Sequence, residues 1–281
     1  MADVKPFGWP AEAIWEGVYP LLPGFSVEVV TELDSTNSEL MRRARDGRAE
    51  PTLLVAERQT AGRGRLGRDW QSGAGESLTF SLGLPLSPPE WSGLSLAVGV
   101  CVAECLHPDV RLKWPNDLWL CTPDGDRKLG GILVETAGAR DGRYAVIGVG
   151  INIRPRDGTG MSTPPAAMHA LDPGATAPGV LERIALPLVR TVLAFAQTGF
   201  APFQARFQAR DALRGRQVSA AAGPTEAIEG TASGVAENGA LLVHTALGMK
   251  KISSSEVSVR PVAGMAARAF PAAATGDAPL A

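Results

Sequence analysis

Three arginines, Arg63, Arg65 and Arg68, lie on a glycine-rich backbone in the run Gly62-Arg63-Gly64-Arg65-Leu66-Gly67-Arg68-Asp69-Trp70. Like charges this close repel and favour an open loop, and an anion would relieve the repulsion. The planar guanidinium fork suits phosphate and carboxylate oxygens. Trp70 adds a flat apolar face able to stack on a purine or cover a ring. The run also satisfies G-x-G-x-x-G after a strand, the dinucleotide fingerprint. That fingerprint needs a helix starting in the loop to meet a pyrophosphate. Here the chain continues Gln71-Ser72-Gly73-Ala74-Gly75, which starts no helix, and the slots between glycines hold bulky arginines. The reading retained is a loop that orders over a phosphorylated ligand. Its bland competitor is a solvated basic loop with a scaffold tryptophan.

A second group begins with Lys113-Trp114-Pro115-Asn116-Asp117. Pro115 pushes Trp114 into extended geometry and removes a backbone donor, so a strand stops there and Asn116 and Asp117 fall at its end. Lys128-Leu129-Gly130-Gly131 places a lysine at the start of another strand, with glycines that let a ligand approach the backbone. In Gly148-Val149-Gly150-Ile151-Asn152-Ile153 one asparagine interrupts an apolar run and needs partners if buried. Lysine is scarce: of 27 basic residues only Lys5, Lys113, Lys128, Lys250 and Lys251 are lysines, so two of them inside these motifs carry weight.

The elements that must position these groups follow from pattern. Val27 to Leu33 reads as a strand. A helix through Glu39, Leu40, Met41 and Ala44 follows, with caps available in Asp34-Ser35-Thr36-Asn37 and a stop at Gly47. Strands are expected over Thr52–Glu57 and Ser77–Leu84, separated by the arginine loop. Pro88-Pro89-Glu90 is taken to start a helix running to about Leu106. Short strands are expected at Val110–Lys113, Lys128–Thr136 and Tyr144–Ile153, with turns at Asp124-Gly125-Asp126 and Asp141-Gly142. Pro155 to Gly179 reads as an irregular surface loop, followed by helices at Val180–Gln197 and Pro202–Leu213. Strands and helices without strict alternation argue for α+β. Gln217 to Val262 changes texture to short strands split by Gly-Pro and Asn-Gly turns, a small β-barrel. The alanine-rich tail shows no core pattern and is expected to be disordered. The divisions are 1–26, an N-terminal extension; 27–213, a catalytic domain; 214–262, the barrel; and 263–281, the tail.

Composition narrows the function. A net charge of −2 over 281 residues gives no electrostatic reason for nonspecific nucleic-acid binding. The start shows no basic stretch followed by an apolar run, and no apolar segment reaches the length of a membrane span; a cytoplasmic protein without membrane partners is expected. Cys101, Cys105 and Cys121 are too few for a disulfide framework. Cys101 and Cys105 at i, i+4 spacing read as buried thiols rather than half of a metal site.

Taken in order, Ser35-Thr36-Asn37, Gln59, the Gly62–Trp70 run, Lys113–Asp117, Lys128–Glu135 and Gly148–Ile153 resemble the biotin protein ligases. The resemblance implies a mixed-sheet catalytic domain related to lipoate ligases and class II aminoacyl-tRNA synthetases, with an SH3-like C-terminal barrel. It implies biotin contacts at Ser35, Thr36, Asn37, Gln59, Gly62, Arg63, Gly64, Lys128 and Gly131. It implies ATP and adenylate contacts at Arg65, Arg68, Trp70, Asn116, Lys128 and Asn152. Lys128 would be the central cation, with Arg63, Lys113 and Asp117 as further catalytic members and Asp117 as a carboxylate on the Mg²⁺ side. Trp114 either lines the biotin slot or packs in the core. The implied partners are biotin, ATP and a carboxyl carrier domain of acetyl-CoA carboxylase type, the chain being a monomer or homodimer. Many members carry an N-terminal helix-turn-helix that represses biotin-synthesis genes. The residues before the first strand include Pro6, Pro10, Pro20 and Pro23 and are too short and broken for one, so a ligase without repressor function or a DNA partner is expected. The nearest rivals are a lipoate or octanoate ligase or transferase, a DNA-acting regulator, and an interaction module built on the barrel. The barrel lacks Trp, Tyr and Phe for a peptide groove.

Overall fold

In a computed structural model, residues 8–139, 142–222, 227–253 and 257–261 are described; the expected tail lies outside them. The frame is a seven-stranded sheet ordered β1-β2-β5-β9-β8-β7-β6. Its strands are β1 (Ser26–Leu33), β2 (Thr52–Gln59), β5 (Ser77–Leu86), β6 (Val110–Lys113), β7 (Asp117–Thr122), β8 (Gly125–Ala139) and β9 (Gly142–Asn152). β1 and β2 run parallel and the other neighbours are antiparallel, so the sheet is mixed. β3 (Gly62–Arg63) and β4 (Asp69–Trp70) form a separate two-stranded ribbon.

Strand alternation sends side chains to two cores. Leu54 of β2 joins Tyr144 and Val146 of β9 under α2 (Thr36–Arg45), whose Leu40, Met41 and Ala44 are buried against them. Leu53 and Val55 face the opposite side, packed with α3 (Leu94–Leu106) and α4 (Ala177–Thr198). Each buried Leu or Val side chain contributes about 1.5–3 kcal/mol. Ahead of the sheet, α1 (Ala11–Val18) buries Ile14 and Val18 in this larger core. None of the described helices is long and apolar enough to cross a membrane.

Three expectations need correction. α3 starts at Leu94, not near Pro88, because Gly93 takes a left-handed φ of 84° and breaks any earlier helix. β7 was not expected; its Leu-Trp-Leu-Cys run was hidden between a proline stop and a turn. The 155–179 segment is irregular but not wholly superficial, since Ala166, Ala167 and Met168 are buried and Lys128 bridges to Pro165.

After α5 (Gln204–Arg210) the chain enters a five-stranded antiparallel sheet ordered β13-β12-β11-β10-β14, the small SH3-like unit. These strands are β10 (Gln217–Ala222), β11 (Ile228–Val235), β12 (Leu241–Thr245), β13 (Gly248–Ile252) and β14 (Val257–Pro261). Val218, Val235, Leu241 and Val259 belong to the same apolar cluster as the residues packed on the seven-stranded sheet. Ala212 N–H donates to Leu112 O at 2.9 Å, tying the connection between the units to β6.

Candidate active site

A two-lobed cleft runs over the middle of β8 and the C-terminal part of β9 beneath the β3–β4 ribbon. The deeper lobe is based on the N-terminus of α2. Thr36 donates to Gln59 Oε1 from its backbone N–H at 2.7 Å and its hydroxyl at 3.1 Å. Ser81 Oγ lies 2.6 Å from both Thr36 Oγ1 and Asn37 Oδ1. Asn37 Nδ2 donates to Leu133 O and to Glu135, and Ser35 caps the helix. Ser35, Thr36, Asn37 and Ser81 are all buried. Because these groups hold one another, this polar end of the lobe is preorganised rather than assembled on binding. Gly148 is required here: a Cβ would come within 2.2 Å of Asn37 Oδ1.

At the neck between the lobes sits a triad of charges. Asp117, first residue of β7, places Oδ1 2.6 Å from Lys128 Nζ and Oδ2 3.4 Å from Lys113 Nζ. Lys128 comes from β8, paired alongside β7, and Lys113 from the end of β6. Burial works to raise the Asp117 pKa, but the two ammonium groups outweigh it and hold the carboxyl below its ordinary value. Burial draws Lys113 below its ordinary value, with Asp117 opposing. Lys113 also lies 5.4 Å from the centroid of the Trp119 ring. One carboxylate thus anchors two cations, leaving a net positive charge at the neck.

The arginine run is not the open loop expected. Gly62 pairs with Trp70 and Arg63 with Asp69, around a tight turn in which Gly64 N–H donates to Arg68 O at 2.7 Å. The repulsion that favoured an open loop is met by partners. Arg63 forms a salt bridge to Glu135 at 2.7 Å and donates to Ser38 Oγ. Arg65 reaches Asn116 Oδ1 at 3.4 Å. Burial lowers the Arg65 pKa against the charge of Asp117; a cation so far withdrawn from water gains from an incoming anion. Trp70 lies over Gly150, where a Cβ would come within 2.5 Å of the indole.

The outer lobe is bounded by Arg68, Trp70, Trp119, Asn152, Arg156 and, from β14, Val259 and Arg260. Arg156 sits 5.8 Å over the Trp70 ring and donates to Asn152 Oδ1 at 3.2 Å. Asn152 Nδ2 donates to Lys128 O and Ala166 O. Among the described residues, the buried indole N–H groups of Trp70 and Trp119 have no acceptor.

Of the expected residues, Ser35, Thr36, Asn37, Gln59, Arg63, Gly64, Arg65, Arg68, Trp70, Lys113, Asn116, Asp117, Lys128 and Gly131 converge on the deeper lobe. Asn152 lies in the outer lobe. Gly62 lines neither lobe; it is buried within the ribbon, where a Cβ would meet Trp70 O at 2.3 Å. Trp114 is corrected. It is fully buried, and its indole donates to Gly239 O of the C-terminal unit at 3.0 Å, so it is core and not slot. Asp117 does not fit as a magnesium ligand, because both oxygens already face ammonium groups. Among the described residues no group of three His, Cys, Asp or Glu could hold a metal, and no step is assigned to magnesium. Sequence alone assigns no role to Ser81, Glu135, Trp119, Arg156 or Arg260, which enter the site only through contacts across the chain.

Comparison with known proteins agrees with this geometry. The Biotin/lipoate A/B protein ligase family matches residues 30–152, and the Biotin protein ligase C terminal domain matches residues 214–260. The bifunctional ligase/repressor BirA of Escherichia coli is 37% identical over 85% of this chain and 75% of its own. The biotin--[acetyl-CoA-carboxylase] ligase of Paracoccus denitrificans is 31% identical over 82% of this chain and 98% of its own. Among solved structures, the biotin protein ligase of Aquifex aeolicus in complex with biotin and ATP superposes with a TM-score of 0.71 at 29% identity, covering 84% of this chain and 99% of that one. A charged neck between two lobes, in a mixed sheet joined to this C-terminal unit, together with these relatives, shows that the chain belongs to the biotin protein ligases.

Proposed function

We propose that the chain condenses biotin with ATP to biotinyl-5'-AMP and then transfers the biotinyl group to a lysine of a carboxyl carrier domain of acetyl-CoA carboxylase type. The observation that carries this reading is the Lys113–Asp117–Lys128 triad, whose three residues line both lobes where the two join. Biotin's ring system would occupy the deeper lobe, against the network of Ser35, Thr36, Asn37 and Gln59, with its carboxylate at the neck. ATP would occupy the outer lobe, its purine on Trp70. A carboxylate oxygen attacks the α-phosphorus and pyrophosphate leaves. Two anions must meet, and Lys128, Arg65 and Arg68 neutralise them where charge builds up. In the second step an acceptor amine attacks the acyl carbon, the acyl–phosphate bond breaks and AMP leaves. The chain needs no nucleophile of its own.

The rival octanoyl transferase chemistry needs a reactive cysteine. Cys101 and Cys105 lie in α3, and burial pushes the Cys121 thiol up to about 12, a poor thiolate source. The test compares biotin, lipoate and octanoate in ATP-dependent labelling of a carrier domain, read by mass. Labelling by biotin alone is expected; preference for either fatty acid would overturn the reading. That the chain does not act on DNA is part of the same reading, and its net charge of −2 supports it. A gel shift with operator DNA tests it, and a specific complex would contradict it.

A further inference from the structure

The enzyme family proposed above makes an acyl donor that any neutral amine can attack, and this chain places a lysine beside it. Lys113 borders both lobes, together with Asp117 and Lys128. It is 9% exposed, so no mobile stem carries its amine away into water. Its charged surroundings are Asp117 on β7, Lys128 on β8 and Arg68 at the ribbon, with the Trp119 ring on β7. Burial and the two neighbouring cations favour loss of its proton; Asp117 and the Trp119 ring oppose it. Lys128 differs: it holds the shorter contact to the same carboxylate and is the more exposed.

We propose that Lys113 is a latent acylation site, and that Asp117 and Trp119 protect the enzyme from its own product by holding Lys113 as an ammonium. This rests on the adenylate occupying the neck. The step held in check is balanced: Lys113 Nζ loses one proton to water, the neutral amine attacks the biotinyl carbon, the acyl–phosphate bond breaks to release AMP, and the nitrogen gives up its second proton to water as the amide forms. Asp117 is then a positioning and protonation-setting residue for a group that must stay unreactive, and not simply a partner for Lys128. The scarcity of lysine elsewhere sharpens the readout, since Lys250 and Lys251 on β13 are exposed and serve as internal reference amines.

The test gives synthetic biotinyl-5'-AMP, without carrier, to the full-length wild type and to Asp117→Asn, Trp119→Leu and Asp117→Asn/Lys113→Arg variants, mapping biotin by mass spectrometry. Supplying the adenylate removes any dependence on the first step. Asp117→Asn is expected to carry biotin at Lys113 at least about tenfold above wild type, rising about tenfold per pH unit while the amine stays mostly protonated. Trp119→Leu is expected to show a smaller increase at the same residue, and the double variant none. Should Asp117→Asn fail to fold or to bind the adenylate, Trp119→Leu decides alone. Labelling confined to Lys128, Lys250 or Lys251 in whichever variants bind the adenylate would overturn the inference. Transfer from the same adenylate to a carrier domain by the wild type checks the proposed function separately, so the two can fail independently.

Discussion

Arg63 shows how one side chain closes the site. It stands on a ribbon that crosses the cleft, and its guanidinium is fastened to Glu135 of β8, which also accepts a hydrogen bond from Asn37 at the base of the deeper lobe. The strap and the floor of the lobe thus share one carboxylate. Replacing Arg63 by glycine removes this fastening without touching the lysines. Biotinyl-adenylate is expected to escape at least about tenfold faster, a loss of about 1.4 kcal/mol of holding energy. Trapping of released adenylate and labelling of bystander proteins measure it, and wild-type levels of both would contradict the strap. The residues at this scale were legible where chemistry marks them, as with scarce lysines and clustered arginines. Ser81 and Glu135 were not, because a serine or glutamate in a strand pattern acquires meaning only from the neighbour it meets.

At the scale of elements, the strands bring distant motifs to one point: β6, β7 and β8 each supply one member of the triad. β1, β2, β5, β8 and β9 were readable from their β-branched and apolar runs. β7 was not, since Pro115 and the turn at Gly125 left too short a pattern between them. Trp114 shows the limit most clearly, because a buried tryptophan looks the same in sequence whether it meets a ligand or a neighbouring unit. Its hydrogen bond to Gly239 makes it a tie between the two sheets. Trp114→Phe is expected to destabilise the protein by about 1–3 kcal/mol, the cost of a buried carbonyl left without its donor, while biotin affinity stays unchanged. Denaturant unfolding and calorimetric titration separate the two effects; weakened biotin binding with unaltered stability would return Trp114 to the slot.

For the whole molecule, the joint between the sheets is also where an unsatisfied charge is buried. Asp211 follows α5 and is 1% exposed; its Oδ1 accepts from Leu213 N–H and its Oδ2 has no partner among the described residues. Burial raises its pKa from 3.8 to about 6. An acid whose folded pKa is raised binds more protons folded than unfolded between those values. Its contribution therefore makes stability fall as pH rises through that window and stay lowered above it. Asp211→Asn keeps the acceptor for Leu213 and is expected to raise the melting temperature at pH 7.5 relative to wild type, with little gain at pH 4. An equal shift at both pH values would contradict this reading. Neither this joint nor its charge could be read from Asp211-Ala212-Leu213, a sequence ordinary for a helix end.

The two lobes, the ribbon and the joint all serve a neck at which one carboxylate holds two ammonium groups. Biotin-dependent exchange of pyrophosphate into ATP reports directly on the reaction assigned to it, without a carrier protein. Lys128→Ala is expected to lower the exchange rate at least about 100-fold, the scale of one lost electrostatic stabiliser, with the fold intact by circular dichroism. Exchange within a few-fold of wild type would contradict the central role given to that lysine.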